Sequence, residues 1–181
     1  MVRRVSDELL SDPSVTLRPW TPDDSEAMVA CLNGDPEISR WLDQIPQPYS
    51  IEDAQAYIAG EITPGEMRFA ITDTASGSVL GSIGLGPITN QTGEIGYWLH
   101  ADAREGGLAT RALVLLSRWA LARDDVERVQ LRADIENVAS RRVADKAGFR
   151  LEGVLRSAYF NPRLGRRQDW AMYSLLPSDL A

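Results

Sequence analysis

The sequence predicts a single α/β domain in which helices flank a mixed central β-sheet. A chain of 181 residues with an apolar fraction of 44% is long enough to bury one sizeable core. Helical patterns come first, and strand patterns then alternate with two further helices, an order typical of helix layers packed on a sheet. One of these helices is long enough to connect two parallel strands. The sheet is therefore expected to mix strand directions and to be partly splayed between those two strands.

The first part of the chain is predicted to hold an arm, a short strand and three helices. Residues 1–13 show no clear period, so we expect an N-terminal arm that is mobile or packs late. A hydroxyl residue followed by proline, as in Thr21-Pro22, is typical of a helix start. The elements expected here are a strand over residues 15–19 and helices beginning near residues 21, 35 and 50, the last of them ending at Pro64-Gly65.

From residue 67 onward the pattern changes from helix to sheet. Strands are predicted over residues 67–73, 79–88, 94–100, 129–133, 149–159 and 168–176, with a hairpin turn at 75–78. Apolar residues at i, i+3, i+4, i+7 and i+11, counted from Ala109, predict a helix that buries one face. Asn137 is a good N-cap for a second helix, which Gly148 is expected to end.

A turn with two adjacent glycines precedes the first of these helices. Gly106 and Gly107 let the backbone bend and leave N–H groups uncovered at a helix N-terminus, where the helix dipole adds partial positive charge. This arrangement predicts an anion site for phosphate. The spacing matches neither G-x-G-x-x-G nor G-x-x-x-x-G-K-[ST], so the phosphate is expected to belong to something other than ATP or NAD.

Composition argues against several classes of function. A net charge of −7 argues against nucleic-acid binding, which needs a positive surface, and fits an amine-bearing partner better. The single cysteine, Cys31, provides neither a disulfide framework nor a metal site. No uncharged stretch reaches membrane-spanning length, so we expect a cytoplasmic protein that does not enter a membrane.

Several motifs in order resemble the GCN5-related N-acetyltransferase (GNAT) superfamily. Arg104-x-x-Gly107-x-Ala109 resembles its acetyl-CoA-binding signature, Q/R-x-x-G-x-G/A, and residues 137–149 resemble its N-x-x-A/S…G-F helix and strand. The segments most similar to the RimJ/RimL branch of ribosomal-protein N-acetyltransferases are residues 17–20, 95–99, 152–153 and 169–176. The resemblance covers about residues 14–177, which we interpret as one GNAT domain.

The resemblance implies that acetyl-CoA is the cofactor. Backbone groups of residues 98–100 would pair with the pantetheine arm as an additional strand, and amides of residues 106–110 would bind the pyrophosphate, with Arg104 adding charge nearby. Asn137 would bond the pantetheine amides. The implied cofactor-binding residues are therefore Trp98, Leu99, His100, Arg104, Gly106, Gly107, Leu108, Ala109, Thr110 and Asn137. The physical argument agrees, because an extended ligand with amides suits a strand gap and a diphosphate suits the glycine turn.

The reaction that the resemblance implies is direct transfer of an acetyl group from the thioester to a primary amine. An ammonium ion cannot attack, so a group must accept its proton. Glu94 is the candidate base, because it shares a strand face with Gly96 and Trp98 and a glutamate at this position serves as base in some relatives. The alternative for Glu94 is an ion pair with a nearby arginine. The Leu99 N–H would stabilise the oxyanion.

The proton donor for the departing thiolate differs from a common family pattern. Many members carry tyrosine seven residues after the motif asparagine, where this chain has Ala144. This difference makes Ser140 the candidate donor, an arrangement similar to the RimL branch, with Tyr173 as a second candidate. Asn137 has an alternative role as a helix cap. His100, the only histidine, is expected to make a backbone contact or to expose its side chain rather than to act as a base.

Three functions are compatible with these residues. The first is N-acetylation of the α-amino group of a protein or peptide, as in the RimJ/RimL branch. The second is acetylation of a small amine such as a polyamine, an amino acid or an antibiotic. The third is a non-catalytic acyl-CoA-binding regulatory module. The expected partner is thus an amine-bearing protein, peptide or small molecule, with no nucleic acid, membrane or metal, and a homodimer is common in the resembling branch.

Overall fold

The computed structural model describes residues 9–180, which form one sheet with helices on both faces. The strands are β1 (Leu10–Ser11), β2 (Val15–Pro19), β3 (Met67–Asp73), β4 (Val79–Leu85), β5 (Thr92–Leu99), β6 (Arg128–Asp134), β7 (Arg150–Asn161) and β8 (Arg166–Leu175). Their order across the sheet is β1-β2-β3-β4-β5-β6-β8-β7. Neighbours are antiparallel except β5 and β6, which are parallel. The predicted α/β class with a mixed sheet is confirmed.

The helices divide between the two faces of the sheet. They are α1 (Ser25–Asn33), α2 (Pro36–Trp41), α3 (Ile51–Ala59), α4 (Leu108–Leu121) and α5 (Val138–Lys146). Met28 of α1 belongs to one apolar cluster together with Ala70 of β3. Leu113 of α4 and Ala144 of α5 belong to another cluster together with Ile71 of β3. Because successive strand residues point to opposite faces, α1–α3 cover one face, and α4 and α5 cover the other.

β5 and β6 separate after a short region of pairing. Only residues 92–94 of β5 pair with β6, at residues 128–130. Beyond Glu94, β5 continues to Leu99 in contact with β4 on one side alone. The predicted gap between the C-terminal parts of the two parallel strands is confirmed, and α4 connects the strands that border it.

α3 and β4 end several residues earlier than predicted. α3 ends at Gly60 rather than at Pro64-Gly65, because Gly60 adopts a left-handed φ of 79° and its N–H returns to carbonyls of the last helical turn. β4 ends at Leu85 rather than at residue 88. Pro87 has no N–H with which to continue the strand ladder.

The structure describes only the last part of the predicted N-terminal arm. Residues 1–8 lie outside the described residues. Leu10 and Ser11 pair with β2 and so add an edge strand to the sheet. Asp12 then accepts the N–H groups of Ser14 and Val15 at 2.7 and 2.8 Å. This part of the segment therefore belongs to the sheet, and the division into an arm and a domain starting at residue 14 stays a prediction.

Candidate active site

The edge of β5 that faces the gap is formed by the backbone of Tyr97 and Leu99. His100 donates its N–H to the Leu80 carbonyl of β4 at 2.8 Å. Since backbone groups alternate in direction along a strand, Trp98 and His100 bond to β4, and the odd-numbered residues face the gap. Of the residues predicted to pair with pantetheine, only Leu99 thus presents its backbone to the gap. Tyr97 is the second residue of this edge.

The turn before α4 holds a row of backbone N–H groups that have no acceptor among residues 9–180. Within the described part of the chain, none of the N–H groups of residues 105–110 bonds to an acceptor, and the first helical bond runs from Arg111 to Gly107 at 3.1 Å. Glu105 and Gly107 adopt left-handed φ values of 68° and 75°, a pattern that makes successive N–H groups converge on an anion. A side chain on Gly107 would meet nothing within 4 Å, so the space there is open. The 14-residue helix behind the turn adds its dipole.

The Arg104 side chain is held by α2 and the end of β5. Its Nη2 binds the carboxylate of Asp35 and donates to the Leu99 carbonyl at 3.0 Å. The Asp35 side chain is 5% exposed and caps α2 by accepting the N–H of Glu37, and a carboxylate buried this far needs a cation nearby. The charge that Arg104 was predicted to add near a pyrophosphate is therefore already engaged, so the anion site of the turn consists of backbone amides.

The N-terminus of α5 meets β5 across the gap. The hydroxyl oxygens of Ser140 and Tyr97 lie 3.1 Å apart. Asn137 caps α5, since its Oδ1 accepts the Ser140 N–H at 3.0 Å, and its side-chain nitrogen bonds to no described residue. Burial raises the pKa of Tyr97 to about 12, an effect that the hydrogen bond with Ser140 opposes. The phenol therefore keeps its proton at neutral pH.

Tyr97 was not among the residues predicted for the site, although the sequence holds a signal for it. By period two it shares a strand face with Ile95, the face that packs against α4 and α5. Ala144, where many family members have tyrosine, is fully buried in the same core. The phenol at the gap comes from β5 instead. Tyr173, the second candidate donor, is 1% exposed, and its hydroxyl accepts a hydrogen bond from Arg141 at 3.4 Å.

Glu94 links β5 to β6 at the position where the two strands separate. Its Oε1 accepts from Arg132 at 2.6 and 2.8 Å, and its Oε2 accepts from Gln130 at 3.0 Å. The Arg132 guanidinium also lies 4.6 Å from the ring centroid of Trp170, which stacks on Tyr159 at 5.3 Å. The arginine pairing that the sequence left open as an alternative is therefore present, and each carboxylate oxygen of Glu94 accepts at least one hydrogen bond.

His100 has a structural contact that accounts for its side chain. Its Nδ1 accepts the N–H of Asp102 at 3.4 Å and so caps a short turn over residues 101–103.

In residues 9–180, no three His, Cys, Asp or Glu side chains group as metal ligands would. No helix in that range has the length and apolar character needed to cross a membrane.

The β7–β8 turn packs on α2 and forms a wall on the α1–α3 face. Asn161 is fully buried and donates to the Arg40 carbonyl at 3.2 Å. Tyr159 donates its hydroxyl to Asp43 at 2.7 Å. Arg163 adds bonds to carbonyls of α2 and of the loop after it. These contacts fix the β7–β8 turn against α2 and the loop that follows it.

An open strand edge that leads to a row of unbonded amides defines a site for an extended ligand with an anionic end. A family model described as an acetyltransferase (GNAT) domain matches residues 14–150. The chain therefore belongs to the GNAT acetyltransferase family. The resemblance stated from the sequence motifs is confirmed.

Named relatives are similar to this chain over nearly all of its length. "Putative ribosomal N-acetyltransferase YdaF" of Bacillus subtilis is 28% identical over 172 residues, which are 90% of this chain and 91% of that protein. The structure of the RimL ribosomal L7/L12 alpha-N-protein acetyltransferase, solved with coenzyme A, superposes on this one with a TM-score of 0.83 at 22% identity. The match covers 93% of this chain and 98% of the RimL chain. The structure of the microcin C7 self-immunity acetyltransferase MccE, solved with acetyl-CoA and AMP, has a TM-score of 0.79 at 22% identity. That match covers 91% of this chain and 93% of the MccE chain.

Proposed function

We propose that this protein transfers the acetyl group of acetyl-CoA to a primary amine, and that the acceptor is the α-amino group of a protein or peptide. The observation that carries the proposal is the gap between β5 and β6, which leads from the Leu99 edge to the unbonded amides of residues 105–110. Membership of the acetyltransferase family supports the reaction. The names of YdaF and RimL, which refer to ribosomal and alpha-N-protein acetylation, support the acceptor.

The residues around the gap fit acetyl-CoA in three parts. The amides of residues 105–110 would bind the diphosphate, since charge-assisted bonds to several N–H groups suit phosphate oxygens. The backbone of Tyr97 and the carbonyl of Leu99 would pair with the amides of the pantetheine arm as a strand does. The free side-chain nitrogen of Asn137 would donate to a carbonyl of the same arm. Acetyl-CoA supplies the thioester, an activated acyl group.

Two groups at the gap would act on the thioester. The Leu99 N–H points into the gap and would donate to the thioester carbonyl oxygen as negative charge develops there. Ser140 would give its proton to the departing sulfur, and the hydrogen bond with Tyr97 orients its hydroxyl. Glu94, with both oxygens bonded, holds β5 against β6 where the gap begins.

Mass spectrometry of peptides incubated with the protein and acetyl-CoA tests this function. The matched pair is one peptide with a free α-amino group and the same peptide with that group blocked. We expect an acetyl mass increase on the free peptide, located at its first residue by fragmentation, and none on the blocked one. Acetylation confined to a lysine side chain or to small amines would contradict the acceptor, and binding of acetyl-CoA without transfer to any amine would contradict the reaction.

A further inference from the structure

The α1–α3 face of the sheet has a floor without side chains beside the gap. Gly84 of β4 pairs directly with Gly96 of β5, and directly opposed residues share a face. A Cβ on Gly96 would meet nothing within 4 Å. By period two, Gly96 lies between Glu94 and Trp98 on this face. Gly84 and Gly96 are called here the glycine floor. The space above Gly96, next to the strand edge that borders the gap, is open, whereas Glu66 lies above Gly84.

The carboxylate of Glu66 borders the glycine floor. Its Oε1 lies 2.6 Å from the position that a Cβ on Gly84 would take. Side chains of opposed strand residues start about 4.5 to 5.5 Å apart, so this oxygen is within reach of a group above Gly96. Among the described residues, nothing donates a hydrogen bond to Oε1, whereas Oε2 accepts from Arg68 Nε at 2.9 Å. One oxygen of a fixed carboxylate is thus left for a ligand.

Arg68 holds Glu66 in this position. The Arg68 side chain is 7% exposed, and its other nitrogens donate to the carbonyls of Tyr57 and Thr63 at 3.1 and 3.0 Å. Its guanidinium also lies 4.5 Å from the ring centroid of Tyr57. Because every nitrogen that carries N–H donors on Arg68 has a partner, the carboxylate that it orients is preorganised.

Glu66 can be reached from outside the protein. Its side chain is 22% exposed and borders an open cleft of about 220 Å³ that Trp20, Ile58 and Met67 also line. An acceptor on this face would thus meet a carboxylate beside a partly apolar cleft.

We propose that Glu66 binds the ammonium group of the acceptor above the glycine floor and accepts its proton. The proposal rests on the proposed acetyl transfer and adds the group that receives the amine. Glu66 suits this role better than Glu94, because both oxygens of Glu94 are bonded to Arg132 and Gln130. A carboxylate with one free oxygen is a strong acceptor for an ammonium N–H.

The acceptor arrives as an ammonium ion and gives one proton to Glu66 Oε1, which frees its lone pair to form the new N–C bond. The C–S bond breaks, and its electron pair leaves on sulfur, which takes a proton from Ser140. The nitrogen loses its second proton, which replaces the one that Ser140 gave. Glu66 then releases its proton to water, so the products are the N-acetyl amide, the free thiol and one proton.

Steady-state kinetics of Glu66→Gln test the assignment. The substitution keeps the size of the side chain and removes its charge, so we expect the KM for the amine to rise about tenfold or more, kcat to fall, and the KM for acetyl-CoA to stay unchanged. Glu61→Gln is the matched control, because Glu61 is exposed and its side chain bonds to no described residue. It should behave as wild type.

Two glycine variants test the floor while keeping the Glu66 charge. Gly84→Ala places a methyl group only 2.6 Å from Glu66 Oε1 and should displace the carboxylate. Gly96→Ala fills the open space above β5 without meeting any atom within 4 Å. Both should raise the KM for the amine, and Gly96→Ala should do so with little change in thermal unfolding. Gly153→Ala, equally free of contacts but on β7, is the control and should have no effect.

The outcomes separate this assignment from the proposed function. An active wild type whose KM for the amine is unchanged in Glu66→Gln, or is raised by Glu94→Gln instead, overturns the role of Glu66 alone. A wild type that transfers acetyl to no amine removes the proposed function and this assignment with it. Unfolding curves of Glu66→Gln that match the wild type show that its kinetic loss does not come from misfolding.

Discussion

At the gap between β5 and β6, a hydroxyl pair stands where the departing sulfur would be protonated. Ser140 comes from the first turn of α5 and Tyr97 from β5, and their oxygens lie 3.1 Å apart. Tyr97, whose pKa burial raises to about 12, remains a phenol at neutral pH and can keep donating to or accepting from Ser140. We interpret Ser140 as the proton donor and Tyr97 as the residue that orients it.

Replacing Ser140 by alanine should lower kcat at saturating acetyl-CoA by at least about tenfold, because the thiolate then leaves without a positioned proton donor. The Asn137 cap is kept, since it bonds the backbone N–H of residue 140. Thiol release measured at saturating amine checks this expectation. Full turnover in Ser140→Ala would exclude Ser140 as the donor. Ser39→Ala serves as the control, because the Ser39 hydroxyl bonds only to the Pro36 carbonyl of its own helix, α2.

Tyr97→Phe should reduce kcat less than Ser140→Ala does, because it removes the orienting hydrogen bond and leaves the proton donor in place. The double variant should then be no slower than Ser140→Ala, as expected for two residues that act through one group. Comparison of the three kcat values checks this. Independent, multiplying losses would mean that Tyr97 contacts the substrate directly.

The element that we propose positions the cofactor is the N-terminus of α4 together with its turn. Gly107 holds a left-handed φ of 75°, which costs other residues about 1 to 2 kcal/mol. Gly107→Ala should therefore lower the free energy of unfolding by about 1 kcal/mol and weaken acetyl-CoA binding. Urea unfolding and calorimetry measure the two effects.

Gly106→Ala is the matched control for this turn. Gly106 has no positive φ, and its added Cβ would make an ordinary contact of 3.7 Å with Leu108. Gly106→Ala is therefore expected to lower the free energy of unfolding less than Gly107→Ala does. Equal losses at the two glycines would show that the left-handed backbone is not what the turn requires of residue 107.

Hydrogen bonds of one glutamate, Glu152, join the last three strands. Glu152 of β7 accepts two bonds from Arg128 of β6 at 2.6 and 2.7 Å and one from Ser174 of β8 at 2.7 Å. The bonds from Arg128, followed by the bond from Ser174, lower the pKa of Glu152 from 4.5 to about 2. The edge strand β7 is thereby tied to β6 across β8.

The low pKa of Glu152 predicts how stability depends on pH. A carboxylate whose pKa is lower in the folded state stabilises the fold fully above its unfolded pKa and loses this contribution as pH falls through its folded pKa. Glu152→Gln should therefore reduce stability at neutral pH, and the difference from wild type should shrink between about pH 5 and pH 2. Urea unfolding across this range measures it. Glu127→Gln, an exposed neighbour, should show no such trend.

At the scale of the whole molecule, elements and local turns were predictable from the sequence, and side-chain pairs between distant segments were not. The period of apolar residues in α4 and the caps at Ser50 and Asn137 act within a few residues. The pairing of Arg104 with Asp35 joins positions 69 residues apart. No local pattern encodes which carboxylate an arginine will meet once the sheet has formed.

The same limit explains the differences at the site. The glycine turn and Ser140 were found from motifs, but the direction of each backbone group on β5 depends on its register with β4. That register turns His100 toward Leu80 and leaves Tyr97 at the gap.

A homodimer, which is common in the resembling branch, stays a prediction for this protein. Light scattering of the purified protein would decide it.

The division of the sheet into two faces assigns its parts to two substrates. The α4 turn and the N-terminus of α5 would hold acetyl-CoA, whereas the glycine floor, Glu66 and the wall made by the β7–β8 turn would receive the amine. The gap is where the two faces communicate. Neither substrate then needs to cross the core, which packs on both faces of the sheet.

A crystal structure of the protein with coenzyme A bound tests this central claim most directly. We predict diphosphate oxygens within about 2.7 to 3.2 Å of the amides of residues 105–110, the pantetheine arm along the backbone of Leu99, and the sulfur beside Ser140. Coenzyme A bound elsewhere, or a diphosphate held by side chains while these amides stay unbonded, would contradict the account.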